Sequence, residues 1–160
     1  MEIGRVEAIY RYPVKSMTLL LDGSTGLVEN KANVWLHPFR AKYFSVTEFS
    51  PFPFVKYPLD KDKAWDWKLE DIDTRWSDPR IIVYTGKVAA EYRYRVRGAE
   101  TVRTPLGELR CVVTEATATN RLGSASLRSW FHPDYGFVRL DYKNIDGSEI
   151  RLELERVVEP

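Results

Sequence analysis

The sequence predicts an all-β, single-domain protein: one antiparallel, strongly curved sheet forming an open or flattened β-barrel, with little helix. Three observations carry this. Apolar and polar residues alternate with period two around Tyr92, Tyr94 and Val96 and again around Ile150, Leu152 and Leu154, as half-buried strands do. Turn residues recur at roughly ten-residue intervals between 104 and 147, the spacing of a meander. No apolar pattern of helical period runs beyond one or two turns.

The carboxy-terminal half is the more regular. Glu91, Arg93, Arg95 and Arg97 alternate with the apolar set of the first strand. Thr104-Pro105-Leu106-Gly107 turns the chain into a strand with Leu109, Cys111 and Val113 on one face and Arg110 and Thr114 on the other. Asn120 to Gly123 is the next turn, Ala125 to His132 a strand, and Pro133 to Gly136 a turn into Phe137–Tyr142. Asp146-Gly147 is a strong two-residue hairpin signal leading into the last strand.

The amino-terminal half predicts strands at Val6–Tyr12, Thr18–Leu21, Val34–His37 and Tyr43–Phe49. Three prolines between Ser50 and Pro58 exclude a central strand and leave an extended loop or edge. Lys63 to Leu69 reads as a strand with Trp65 and Trp67 on one face, and Glu70 to Pro79 as a polar connection.

Composition narrows function by exclusion. The 160 residues fit one domain able to build its own core. With 24 basic and 23 acidic residues, the bulk charge favours neither nucleic acid nor an anionic membrane. The single cysteine, Cys111, excludes an intrachain disulfide and a cysteine zinc cluster, and mid-strand it reads as a buried, inert thiol. No run approaches the roughly 18 apolar residues of a transmembrane helix. Met1-Glu2-Ile3-Gly4 lacks the features of a signal peptide, so the expectation is either a cytoplasmic protein or a mature segment behind a new methionine. No nucleophile elbow, phosphate loop or dinucleotide fingerprint is present. The acidic Glu70-Asp71-Ile72-Asp73 lacks the ligand spacing of a calcium loop.

Two features remain as candidate sites. Both histidines of the chain stand in the same setting, Trp35-Leu36-His37-Pro38 and Trp130-Phe131-His132-Pro133, once in each half. Each could contact a ligand at a barrel mouth; a metal would need further ligands that no spacing supplies, and the plainer reading is two strand ends closed by proline. The second feature is the aromatic inventory: five Trp, nine Tyr and seven Phe. Trp65, Trp67, Tyr92, Tyr94, Trp130 and Tyr142 are expected to project from one side of the curved sheet, with the Phe52-Pro53-Phe54 loop lying over it. That side reads as an apolar pocket or as a filled core.

Gly98-x-Glu100-Thr101-Val102-x-Thr104-Pro105-Leu106-Gly107-x-Leu109-x-Cys111 is similar to a pattern in uncharacterised bacterial envelope and lipoprotein-like β-barrel proteins. Trp130-Phe131-His132-Pro133-x-Tyr135-Gly136-Phe137-Val138 and the Asp146-Gly147-Ser148 hairpin extend the similarity, which spans about residues 85–158. The resemblance implies an open or half-closed barrel, loosely like the bacterial carriers that shuttle lipoproteins, and a place in the cell envelope or periplasm; it implies no catalytic residue. Ile9 to Met17 also resembles the opening strand of the barrel that precedes MOSC domains, a nine-residue match read as coincidence because the Gly-Asp-Arg segment that follows there is missing.

The resulting expectation is a non-catalytic protein that binds a hydrophobic small molecule or lipid, with no cofactor, metal or nucleic acid. Its contacts would be the sheet aromatics Trp65, Trp67, Tyr92, Tyr94, Trp130 and Tyr142, the loop residues Phe52 and Phe54, and Trp35, His37 and His132 at the rim. The alternatives are a structural module pairing through a sheet edge, with the carboxy-terminal strand as the expected contact, and a metal-dependent enzyme using His37 and His132. Oligomeric state is left open.

Overall fold

The computed structural model describes residues 2–6, 8–11, 17–20, 25–29, 33–36, 49–73 and 87–158, with side chains over 33, 49–70 and 88–157. The described elements are all strands: β1 Glu2–Val6, β2 Ala8–Arg11, β3 Met17–Leu20, β4 Thr25–Glu29, β5 Asn33–Leu36, β6 Phe54–Lys56 and β7 Ala64–Asp73. The second half adds β8 Lys87–Thr104, β9 Gly107–Asn120, β10 Gly123–His132, β11 Gly136–Lys143, β12 Glu149–Leu154 and β13 Val157–Val158.

The described strands form two hydrogen-bonded sheets. Their orders are β1-β12-β11-β10-β9-β8-β7 and β13-β2-β3-β4-β5-β6. β1 and β2 are separated by Glu7 alone, and β12 and β13 by Glu155-Arg156. The parallel pairing keeps one register through both, with Val6 opposite Leu154 and Ile9 opposite Val157. The described fold is thus two sheets whose parallel pairings share one offset. It is antiparallel except at those pairings, strongly curved, and not closed by hydrogen bonds among the described residues, as an open or flattened barrel requires.

The end strands β6 and β7 follow one another in the chain, and Lys63 holds their connection. Its ammonium donates to the carbonyls of Lys56, Tyr57 and Pro58 at 3.2, 2.7 and 3.1 Å. β12 lies between β11 and β1, and the last strand, β13, ends the second sheet beside β2. Among the described strands the first sheet ends at β1 and β7, and the second at β13 and at β6, which is flanked by Pro53 and Pro58.

The meander holds as the period and turns require, while the amino-terminal half differs in detail. The strand expected over Val6–Tyr12 is two short ones, β4 was not anticipated, and β7 runs to Asp73 through residues expected to be a connection. The strand expected over Tyr43–Phe49 lies, except for Phe49, outside the described residues.

Cross-strand register builds the core in rows. Trp65, Tyr94, Ala116, Leu127, Tyr142 and Ile150 are successive partners, all buried. Val96, Thr114, Ser129, Leu140 and Leu152 form the next row, equally buried. We call this face inner. Thr114 thus faces inward, opposite to the expectation for β9, where Ala116 and Ala118 and not Leu109, Cys111 and Val113 meet Tyr94 and Tyr92.

The reason is a bulge. Register shifts between Val96 and Gly98, with Gly98 at φ +106°, a left-handed conformation suited to glycine. Arg97 becomes the extra residue, and beyond it Val102 pairs with Leu109 and Glu100 with Cys111 on the other face. Val102, Cys111 and Val113 are therefore buried on the side that also carries Trp130, the partner of Val113.

Candidate ligand-binding face

Six aromatic rings assemble at the β7–β8 end of the inner face. Trp65 stands directly opposite Tyr94 and Trp67 opposite Tyr92, so antiparallel pairing alone brings the rings together. Trp67 and Tyr92 stack at 4.4 Å with planes 13° apart; Trp65 and Tyr94 stack at 5.1 Å and 4°. Each such pair contributes about 0.5–1.5 kcal/mol beyond area burial.

The segment Phe49 to Lys56 crosses this face as a strap. Phe52 and Phe54 are two residues apart in a proline-stiffened extended chain, so their rings fall on one side. Phe52 meets Trp67 and Tyr92 at 5.3 and 5.6 Å. Phe54 packs edge-on against Trp65 and Tyr94 at 5.7 and 5.6 Å. Both strap rings are only partly buried, whereas Trp65, Tyr92 and Tyr94 are buried.

Polar groups fix the strap at Phe52 and at Ser50. The Tyr94 hydroxyl donates to the Phe52 carbonyl at 3.1 Å and accepts from the Trp67 indole N–H at 3.4 Å. Two residues earlier the buried Ser50 hydroxyl donates to the Asn144 side-chain carbonyl at 2.7 Å. Asn144 in turn donates to the Ser148 hydroxyl at 3.2 Å, which ties the strap to the β11–β12 turn.

Among the described residues the buried Trp65 indole Nε1 and Thr114 hydroxyl of this face find no hydrogen-bond partner. An unsatisfied buried group costs about 1–3 kcal/mol, so each is a place where an added acceptor or water would stabilise the fold.

Burial suppresses the acidity of two phenols of this face and, on the other face, of the one thiol. Burial, first, and the neighbouring Tyr94 push the Tyr142 phenol far above its ordinary value. Burial does the same to Tyr94, outweighing its hydrogen bond from Trp67. Neither ionises near neutral pH, so both act as fixed hydroxyls. Burial pushes the Cys111 thiol up to about 11, which leaves it protonated and weakly nucleophilic.

The expected site residues separate into groups. Phe52, Phe54, Trp65, Trp67, Tyr92 and Tyr94 come together, and Tyr142 lies in the same row as Tyr94. Trp35 pairs with Phe54 across β5–β6, which places it on the same face of that ladder; its side chain is not described. Trp130 does not join them. It stands on the outer face with the guanidinium carbons of Arg128 and Arg139 5.2 and 4.7 Å from its ring. The expectation that it projects with the other aromatics fails because Arg128 and Trp130 share one side of β10, and that side is the charged one.

His132 accepts the Asp134 backbone N–H at its Nδ1 (3.2 Å) and lies against Tyr135 at 4.9 Å, so it shapes the β10–β11 turn. His37 lies outside the described residues. Among the described residues no three His, Cys, Asp or Glu side chains group as a metal site requires. No helix there is long and apolar enough to cross a membrane.

The outer face offers a different cavity, an open groove of about 440 Å³ over β9 to β12. Its central charges are already paired: Arg128 with Glu115 and Glu100, and Asp141 with Arg139 and Arg151. Sequence reasoning missed Ser50, Asn144, Lys56 and Thr114. Only the burial of polar side chains, which needs the fold, marks the first two and the last.

Comparison with known proteins adds little chemistry. No family model matches the chain, and no curated protein matches it. A solved structure from Bacteroides fragilis NCTC 9343, described as an exported protein with a YmcC-like fold, aligns at a TM-score of 0.36 and 12% identity. The alignment covers 91% of this chain and 81% of that one. At this level of similarity nothing passes from that protein to this one.

Proposed function

We propose that the protein binds a hydrophobic small molecule or lipid, without chemical change, on the aromatic face beneath the Phe52–Phe54 strap. The observation that supports it is the contrast in burial: two half-buried phenylalanine rings cover a fully built stack of Trp65, Trp67, Tyr92 and Tyr94. Rings that are half exposed lose less on leaving than core rings do, and an apolar ligand replaces their contacts. The strap is held at Ser50 and at the Phe52 carbonyl, and Phe54 is a strand residue paired with Trp35, so a ligand would enter by rotation of the Phe52 and Phe54 rings and not by a shift of the chain.

Native mass spectrometry of the purified protein tests this. A bound apolar molecule, released on denaturation and replaceable by an added lipid, is the expected result. A bare chain before and after incubation with a lipid extract overturns it.

A second reading is a structural or interaction module with a filled core. The zero exposure of Tyr92, Val96 and Ala118 favours it. It predicts that no apolar compound binds and that every substitution of the strap acts on stability alone.

A further inference from the structure

We infer that the ligand is a long-chain carboxylate, of the fatty-acid class, with its head group between the Lys56 ammonium and the Trp65 indole N–H. This rests on the binding reading above and adds the chemistry of the ligand's polar end.

Two independent observations converge at one end of the aromatic face. Trp65 is 8% exposed, and its Nε1 is a buried donor with no acceptor among the described residues. The polar atoms beside it are otherwise engaged, since the Trp67 N–H and the Tyr94 hydroxyl already have partners. The second observation is a cation. Lys56 Nζ lies 5.3 Å from the Phe54 ring centroid and 6.0 Å from that of Trp65. Among the described residues it has no carboxylate partner, and neighbouring Lys63 is occupied by three carbonyls.

The set consists of one buried N–H, one ammonium at the rim, and a wall of rings. A carboxylate has two oxygens, one for each donor, and an alkyl chain for the rings. A phosphate is best held by a guanidinium fork or a nest of backbone N–H groups, and among the described residues no arginine contact is found at this end of the face. An uncharged alcohol would use the indole N–H and leave the ammonium without a role.

Isothermal titration with dodecanoate and dodecan-1-ol, both as monomers in solution, separates the possibilities. The folded protein is expected to prefer dodecanoate by about tenfold or more, a preference of about 1.4 kcal/mol. Lys56→Met is expected to bring the ratio of the two affinities close to one. Trp65→Phe, which keeps an aromatic ring for the stack, is expected to weaken both ligands. Equal binding of the two by the unaltered protein, with a ratio that Lys56→Met does not move, overturns the carboxylate assignment and leaves the binding reading standing. No binding of either by protein with an intact near-ultraviolet circular dichroism spectrum overturns both.

Discussion

The Ser50 hydroxyl and the Asn144 side-chain carbonyl meet at 2.7 Å across 94 residues of chain, both sealed from solvent. This bond fastens the strap to the β11–β12 turn, two residues before the Phe52 carbonyl that accepts from Tyr94. Ser50→Ala removes the donor and leaves a buried acceptor. The expected loss is about 1–3 kcal/mol, read as a lower urea midpoint at unchanged slope. A midpoint equal to that of the unaltered protein would show that the bond holds nothing in place.

Phe52 and Phe54 are expected to act on both stability and access. Replacing both with alanine removes two partly buried rings, at about 2–4 kcal/mol together. The same change uncovers Trp67, Tyr92, Trp65 and Tyr94. Binding of the fluorescent probe anilinonaphthalene sulfonate by the folded variant therefore rises. Lower stability with no rise in probe fluorescence would favour the filled-core reading.

Asp141 lies between two guanidiniums, accepting from Arg139 at 3.1 and 2.7 Å and from Arg151 at 2.8 and 3.0 Å. Burial by itself raises its pKa, but the hydrogen bonds and charges of the two arginines outweigh burial and hold it below the ordinary carboxylate value. A carboxyl lowered by folding contributes stability that is fully present above its unfolded pKa, about 3.9, and is lost as pH falls through the folded value. Asp141→Asn is expected to cost about 1–2 kcal/mol at pH 7, allowing for partial exposure, and to flatten the decline of stability below pH 4. Urea unfolding at pH 7, 5 and 3 reads both effects; parallel curves for the two proteins would exclude the Asp141 contribution.

Cys111 is buried, with its thiol raised to about 11, so about one molecule in a thousand carries a thiolate at pH 8. Ellman's reagent is expected to leave the native protein unmodified over minutes and to react at once in guanidinium chloride. Rapid labelling of the native protein would mean that β9 opens locally at little cost.

Much of the meander was legible because its signals are local. Thr104–Gly107, Asn120–Gly123, Pro133–Gly136 and Asp146-Gly147 each carry turn chemistry within four residues, and the strands between them alternate. The stacked pairs of β7 and β8 were legible in the same way, since two Trp and two Tyr at i and i+2 meet whenever their strands pair in register. The side of the sheet on which Trp130 lies was not. Alternation defines two faces of each strand without saying which is inner, and on β10 the charged side was the one bearing the tryptophan.

The amino-acid sequence by itself determined an all-β chain, its turns, and the aromatic content of one face, because backbone conformation and side-chain alternation follow from neighbours a few positions away. Tertiary structure alone decided the rest. The bulge at Arg97 and Gly98 moved the apolar residues of the β8–β9 hairpin to the other face, a change one residue can make because the side-chain period is two. The parallel ladder of β1 and β2 with β12 and β13, and the Ser50–Asn144 bond, join residues too far apart in the chain for any local pattern to announce them. The aromatic face, its strap and the unpartnered Trp65 N–H exist as one site only once those long-range contacts form.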